Sequence, residues 1–160
     1  MAKGGGKDQK RSETPTLGNP KARFKYDIVE RVECGIVLLG TEVKSLREGR
    51  GSIEEAYARF KGTDLWIVGM HVDEYRSSGY SKHEPRRPRK LLLHRLELTH
   101  LRDEVERRGY TLVPLRVYWG DRGIAKVDLA LVKGRKLHDK RAADREKTAK
   151  REMDRAMRRR

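Results

Sequence analysis

The sequence predicts a mainly β fold, a small closed antiparallel sheet with short flanking helices and a basic C-terminal tail. Three observations carry that expectation. Apolar and polar residues alternate over long stretches, as they do in strands with one buried face. Two pairs of those stretches are joined by short turns containing Gly and Asp, which reads as two hairpins. No strand–helix–strand alternation is present, which argues against a parallel sheet. With 160 residues and both ends rich in charge, the chain has room for one domain and one modest core.

Residues 1–18, rich in Gly, Lys, Ser, Thr and Pro, lack the apolar content to offset ordering entropy and read as a disordered basic arm. Order begins at Asn19-Pro20, and the folded domain is expected over residues 19–133. From Phe24 to Leu38 the even positions are apolar except Glu30, so a long half-buried strand is expected there, with Gly35 free to bend it. Gly40 to Gly49 has Thr41 as a cap, Val43 and Leu46 three apart, and a Gly stop, the signals of a short helix. Ala56, Ala58 and Phe60 alternate, Lys61 to Asp64 turns, and Leu65 to Val72 reads as a buried strand, which completes the first hairpin. Asp73 to Arg89 has no periodicity and contains Gly79, Pro85 and Pro88; a loop this long inside a compact domain is usually functional or disordered. A helix is expected from Leu91 to Gly109, with Leu91, Leu98, Leu101 and Val105 on one side and Leu92, Leu93 and Leu96 off that stripe. Val113 to Trp119 and Ala125 to Leu131, joined by Gly120 to Gly123, form the second hairpin. At least five strands with short helices between them close most economically as a barrel of the oligonucleotide-binding (OB) type.

The formal net charge is +15, and it is concentrated. The last 28 residues hold 13 Lys and Arg against 5 Asp and Glu, and the first 23 hold 6 against 2. The run Lys82 to Lys90 adds five basic residues and one acid to an otherwise nearly neutral body. Two tails and one loop of positive charge suit a partner with a phosphate backbone gripped at several points. Arg86, Arg87, Arg89 and Lys90 are the loop's candidate RNA contacts. An anionic membrane surface would call for Trp, Phe or Leu along one face of the tail, which offers only Ala and Met.

Other functions find little support. Cys34 is the only cysteine, so neither an internal disulfide nor a cysteine-based metal site is available. The five His residues fall in no metal-binding spacing, no phosphate-cradling glycine motif is present, and no nucleophile–base group can be proposed. The reading is therefore a non-enzyme without cofactor or metal. Neither a signal-peptide region nor a run long enough to cross a bilayer occurs, so a cytoplasmic protein with no membrane partner is expected. Tyr75, Tyr80, Tyr110, Tyr118 and Trp119 are candidates to stack on bases where exposed, although a small barrel also needs large side chains in its core. Tyr118 and Trp119 are adjacent on one strand, so they face opposite ways.

Residues 134–160 form the basic tail. Ala142, Ala149, Met153 and Ala156 would share a helical face, but that stripe is thin and the charges repel. The tail is therefore expected to be disordered when free and helical once phosphates neutralise it.

Four blocks carry a resemblance that composition does not. They are Leu39-Gly40-Thr41-Glu42-Val43-Lys44-Ser45-Leu46-Arg47, Arg89-Lys90-Leu91-Leu92-Leu93-His94, Thr111-Leu112-Val113-Pro114-Leu115, and Val132 to Arg141. In this order and spacing, from about Asn19 to the end, the chain resembles the small protein B (SsrA-binding protein) family. The resemblance implies an OB-type barrel that binds the tRNA-like domain of transfer-messenger RNA and brings it to stalled ribosomes. It implies a tail that enters the empty mRNA path of the small subunit, against 16S ribosomal RNA. By motif position it implies RNA contacts at Asn19, Glu33 and Leu92, and decoding-centre roles at Gly134, Lys136, His138, Asp139, Lys140 and Arg141. Cys34 stands where the family usually has Ala, and Arg50-Gly51-Ser52 where an Asn often follows the helix, departures that touch local packing. The free protein is expected to be a monomer. The runner-up is a structural ribosomal protein with basic extensions, and a small nuclease comes third.

Overall fold

The folded body starts at a capped helix. The computed structural model describes residues 14–158 apart from Ser78, Ser81 and Lys136, and leaves aside the side chains of residues 137–140 and 143. A two-residue strand β1 (Leu17–Gly18) leads into helix α1 (Pro20–Lys25). Asn19 caps that helix, its Oδ1 accepting the Ala22 N–H at 3.2 Å, and Pro20 supplies the fixed φ of a first helical residue. Cap and proline commit residues 20–25 to helix, so the strand expected from Phe24 begins two residues later. This is β2 (Tyr26–Ile36), whose even positions are the less exposed ones as the alternation predicts. Its pairing slips between Ile28 and Glu30, leaving Val29 unpaired and exposed.

Helix α2 (Gly40–Arg47) lies where expected, but Thr41 does not cap it. The Glu42 carboxylate turns back to accept the Leu39 N–H at 2.8 Å, while Thr41 Oγ1 is hydrogen-bonded to His83 Nδ1 at 2.9 Å. After β3 (Gly51–Ser52), strands β4 (Tyr57–Lys61) and β5 (Asp64–Val68) pair with Ala58 opposite Ile67 and Phe60 opposite Leu65, giving the first hairpin. The apolar run to Val72 does not continue as one strand. Gly69 takes φ +79°, and a Cβ there would sit 2.8 Å from the Glu55 carbonyl oxygen, so the chain bends. Strand β6 (His71–Val72) then leaves to pair with β3 in a separate two-stranded sheet.

The expected helix from Leu91 is also divided. Arg89–Leu92 is a strand, β7, in which Arg89 and Leu91 point inward and Leu92 outward. Helix α3 (Arg95–Arg108) starts only after His94, where Glu97 accepts the His94 N–H at 3.1 Å, and ends at Gly109 in the left-handed region. Strands β8 (Thr111–Trp119) and β9 (Ala125–Gly134), joined by a 3-10 turn at Asp121–Gly123, make the second hairpin with Val117 opposite Val127.

All these pairings are antiparallel, and in the large sheet they return to their start. The order runs β8, β4, β5, β7, β2, β9 and back to β8, with β1 added on β8. The main core gathers Cys34, Leu65, Ile67, Leu91, Val127 and Leu129, with Leu101 of α3 packed in. A smaller cluster of Ala22, Val113, Leu115, Ala130 and Val132 joins α1 to β8 and β9.

Residues Leu137–Arg158 form one helix, α4, where the sequence reading expects a disordered free tail. Its composition explains this: Ala, Arg, Lys, Glu and Met favour helix, and Glu146–Lys150 and Asp154–Arg158 place acid before base at i,i+4. Every described α4 side chain is exposed, Met153 and Met157 included, and Lys147 Nζ lies 5.6 Å from the Phe24 ring centroid. No helix among the described residues is long and apolar enough to cross a membrane.

Candidate nucleic-acid interface

On the outer face of β2, past the slip at Val29, Arg31 and Glu33 are exposed and point away from the main core. Glu33 lies opposite Asp128 on β9, and Gly35 lies between Lys126 of β9 and Leu92 of β7. Because Gly35 has no side chain, Leu92 lies over it: a Cβ at position 35 would stand 3.4 Å from Leu92 Cβ. Leu92, 51% exposed, is therefore an apolar surface residue placed near Glu33 by strand register alone. Lys126 Nζ donates to Glu33 Oε1 at 2.5 Å, and the Tyr118 hydroxyl donates to Glu33 Oε2. Arg116 stacks 4.5 Å from the Tyr118 ring centroid and reaches Asp128 at 3.4 Å.

These bonds set the protonation of the patch. The Lys126 bond, followed by the Tyr118 bond, holds the Glu33 carboxyl below the ordinary carboxylate range. Partial burial, then the bond to Glu33, pushes the Tyr118 phenol up to about 12. Glu33 is thus a fixed anion beside cations, a carboxylate that accepts hydrogen bonds and would repel a phosphate. Trp119 faces the other way and packs on the core, so the adjacent aromatics divide as expected.

The loop residues separate sharply. Arg89 is 0% exposed, its guanidinium bonded to Glu42 Oε1 at 2.9 Å, to the Met70 carbonyl at 2.8 Å and to the Pro85 carbonyl at 3.1 Å. Arg87 makes a two-bond fork on the same buried Glu42, at 2.8 and 2.7 Å. Burial alone would raise the Glu42 carboxyl, but Arg87, the Leu39 N–H and Arg89 outweigh it and hold the group below its usual value. Arg89, expected as an RNA contact, is instead the inner post that ties the 82–90 loop to α2, and Arg87 is largely committed to the same carboxylate. Arg86 remains outward, near Glu55 at 3.6 Å, and Lys90 is half-exposed and paired with Asp64 at 3.1 Å.

Asn19 is likewise internal. It is 5% exposed, and its Nδ2 donates to the Ile53 and Pro114 carbonyls, both at 3.3 Å, while its backbone N–H donates to Leu115 O at 2.8 Å. Every polar group of this side chain is thus satisfied within the fold. Its position fixes α1 against β8, and the hydrogen bonds of its side chain are committed to the fold.

In the tail, Gly134 is the last residue of β9, opposite Tyr26, and Arg135 Nε donates to Asp27 Oδ1 at 2.7 Å. Lys136 lies outside the described residues. His138, Asp139 and Lys140 fall in the first turns of α4, and their side chains are not among those described. Arg141 is exposed there. Gly134, opposite Tyr26, therefore lies at the other end of β2 from Glu33 and Leu92.

No three His, Cys, Asp or Glu side chains gather as metal ligands among the described residues. Burial, then the charges of Glu97, Asp128 and Glu33, pushes the Cys34 thiol up to about 12, which makes it a poor nucleophile. Two features escaped the sequence reading: the Glu42 ion-pair knot and Trp66, which stands half-exposed on the outer side of β5. The alternation of Leu65 and Ile67 with Trp66 and Val68 was the available signal for the second.

The SmpB family model, described as SmpB protein, matches residues 16–159. The chain belongs to the SmpB family. It is 49% identical over 146 residues to a protein of Rhodopirellula baltica named SsrA-binding protein, covering 91% of this chain and 83% of that one. A protein of Rhizobium johnstonii with the same name is 50% identical, covering 87% of this chain and 92% of its own length. A solved structure described as "tmRNA-SmpB: a journey to the center of the bacterial ribosome" is similar with a TM-score of 0.64 and 46% identity, over 77% of this SmpB-family chain and 86% of that chain.

Proposed function

We propose that this chain binds the tRNA-like domain of transfer-messenger RNA and carries it to stalled ribosomes, acting in the cytoplasm as an RNA-binding factor without catalysis of its own. Membership of the SmpB family supports the reading, as do relatives named for SsrA binding and a similar structure of a tmRNA–SmpB complex. The ring of antiparallel pairings is read as an OB-type barrel, a fold whose outer strands commonly bind nucleic acid. One observation carries the assignment of the RNA face: Leu92, apolar and exposed, shares a surface with the charge-fixed Glu33, where neither adds to the core. In this reading Leu92 packs on a base or ribose, Glu33 accepts from one, and Arg86 and Lys90 lie within the loop and strand that meet the backbone. The tail, including Gly134, Lys136, His138, Asp139, Lys140 and Arg141, acts on the small subunit and its 16S RNA.

Two variants test the assignment of the face. Leu92→Asp removes an exposed contact, so RNA binding falls while the urea midpoint holds. Asn19→Ala removes a cap and two buried bonds, costing about 1–2 kcal/mol of stability, and weakens RNA binding only as the fold loosens. Full RNA affinity in a well-folded Leu92→Asp protein would overturn the placement.

A further inference from the structure

We infer that the outer face of β4, β5 and β7 is a second nucleic-acid site, one that takes an unpaired nucleotide by stacking it on Trp66. Register sets three side chains in a row across this face: Arg59 of β4 opposite Trp66, and Trp66 opposite Lys90 of β7. Trp66 lies on the outward side of β5, between the buried Leu65 and Ile67, and it does not belong to either core cluster. With Arg59, Lys61, Val68 and Pro88 it lines a cleft of about 180 Å³. That cleft has an aromatic floor, an apolar side of Val68 and Pro88, and two exposed cations on its β4 edge.

The electrostatics point to phosphate. Among the described residues, Arg59 and Lys61 form no ion pair, whereas the neighbouring Lys90 is already neutralised by Asp64 at 3.1 Å. Two free cations beside a half-exposed indole meet the needs of a single-stranded nucleotide: a π-face for the base and positive charge for the phosphates on either side. A duplex would not satisfy it, because paired bases are not open to a Trp set in a cleft. An acidic peptide would use the cations but leave the indole face unoccupied. The site adjoins the Glu33–Leu92 surface along β7, where Lys90 and Leu92 both point outward, but its indole and its free cations stand on β5 and β4, on the far side of β7 from Glu33. It goes beyond recognition of a folded RNA domain and does not depend on that reading.

The protein has two Trp residues, so fluorescence isolates the site. In Trp119→Phe, hexa-adenylate is expected to quench the remaining Trp66 emission, more weakly as salt rises, while a hairpin duplex without overhangs does not. Arg59→Gln with Lys61→Gln should weaken hexa-adenylate binding about tenfold, with affinity for folded tRNA-like RNA unchanged. If Trp119→Phe proves unstable, Trp66→Leu in the otherwise intact chain gives the same test by loss of oligomer binding. Absence of quenching, quenching by duplex alone, or quenching by poly-glutamate at equal strength overturns the proposal. Loss of folded-RNA affinity in a Glu33 or Leu92 variant with Trp66 quenching intact would leave the two sites separate.

Discussion

Glu42 decides the local geometry of the long loop. Its carboxylate is 0% exposed and meets Arg87, Arg89 and the Leu39 N–H, so it closes α2 and anchors residues 85–89 at once. A buried pair of this kind adds little over an apolar replacement, but breaking it leaves a buried charge without a partner. Glu42→Gln should therefore cost about 3–5 kcal/mol in urea unfolding, and pairing it with Arg89→Met should recover part of that loss. The pH dependence has a defined sign. The folded-state value of Glu42 is lowered, so its contribution is present above its unfolded value and is lost as pH falls through the folded value. Wild-type stability should drop in that acid range, and the drop should shrink in the double variant. Arg89 was legible in the sequence only as one basic residue in a basic run. Its burial depends on Glu42, 47 residues earlier, and no local pattern reports a partner that distant.

Among the elements, the sequence patterns that hold are the ones written by period. Alternation gives the less exposed positions of β2, and the second hairpin pairs where expected. A register shift between Pro114 and Arg116, however, turns Val113 and Leu115 to the smaller cluster beside α1, while Leu112 and Val117 face the main core. The patterns that fail are boundaries decided by a single residue. Gly69 divides the Leu65–Val72 run, Asn19 and Pro20 convert the start of an expected strand into α1, and Leu91 enters a strand instead of a helix because β2 and β5 offer it partners on both sides. Leu92 is exposed as expected, but it lies in strand β7 and not in a helix, so the strand pleat and not a helix face turns it outward, while Leu93, expected off the same stripe, packs against the core. One tie between elements should respond to pH. His100 of α3 bonds Glu30 of β2 at 2.8 Å, and that bond, with the charge of Glu30, raises the imidazole above its usual value. Its contribution is complete below the unfolded value of about 6.5 and is lost as pH rises through the folded one. NMR titration of the His100 ring should show the raised value, and Glu30→Gln should return it toward normal.

At the scale of the whole molecule, charge is divided between a nearly neutral body and cationic ends, and the structure keeps the division. Described α4 side chains are all exposed, and Lys147 of this helix lies beside Phe24 of α1. The Glu33–Leu92 face lies on the ring of strands, outside the tail. Because several phosphates are neutralised on binding, the logarithm of RNA affinity should fall with the logarithm of salt by roughly 0.7–0.9 per phosphate, and a flat response would make the basic segments bystanders. The physical basis for a two-part molecule is that the body has a core and the tail has none.

Truncation after Arg135 tests that division most directly, since it keeps β9 and the Arg135–Asp27 bond while removing α4. The shortened protein should bind the tRNA-like domain of transfer-messenger RNA nearly as well as the full chain and fail to support peptide tagging on stalled ribosomes. Parallel loss of both activities, or tagging that survives without α4, would contradict it.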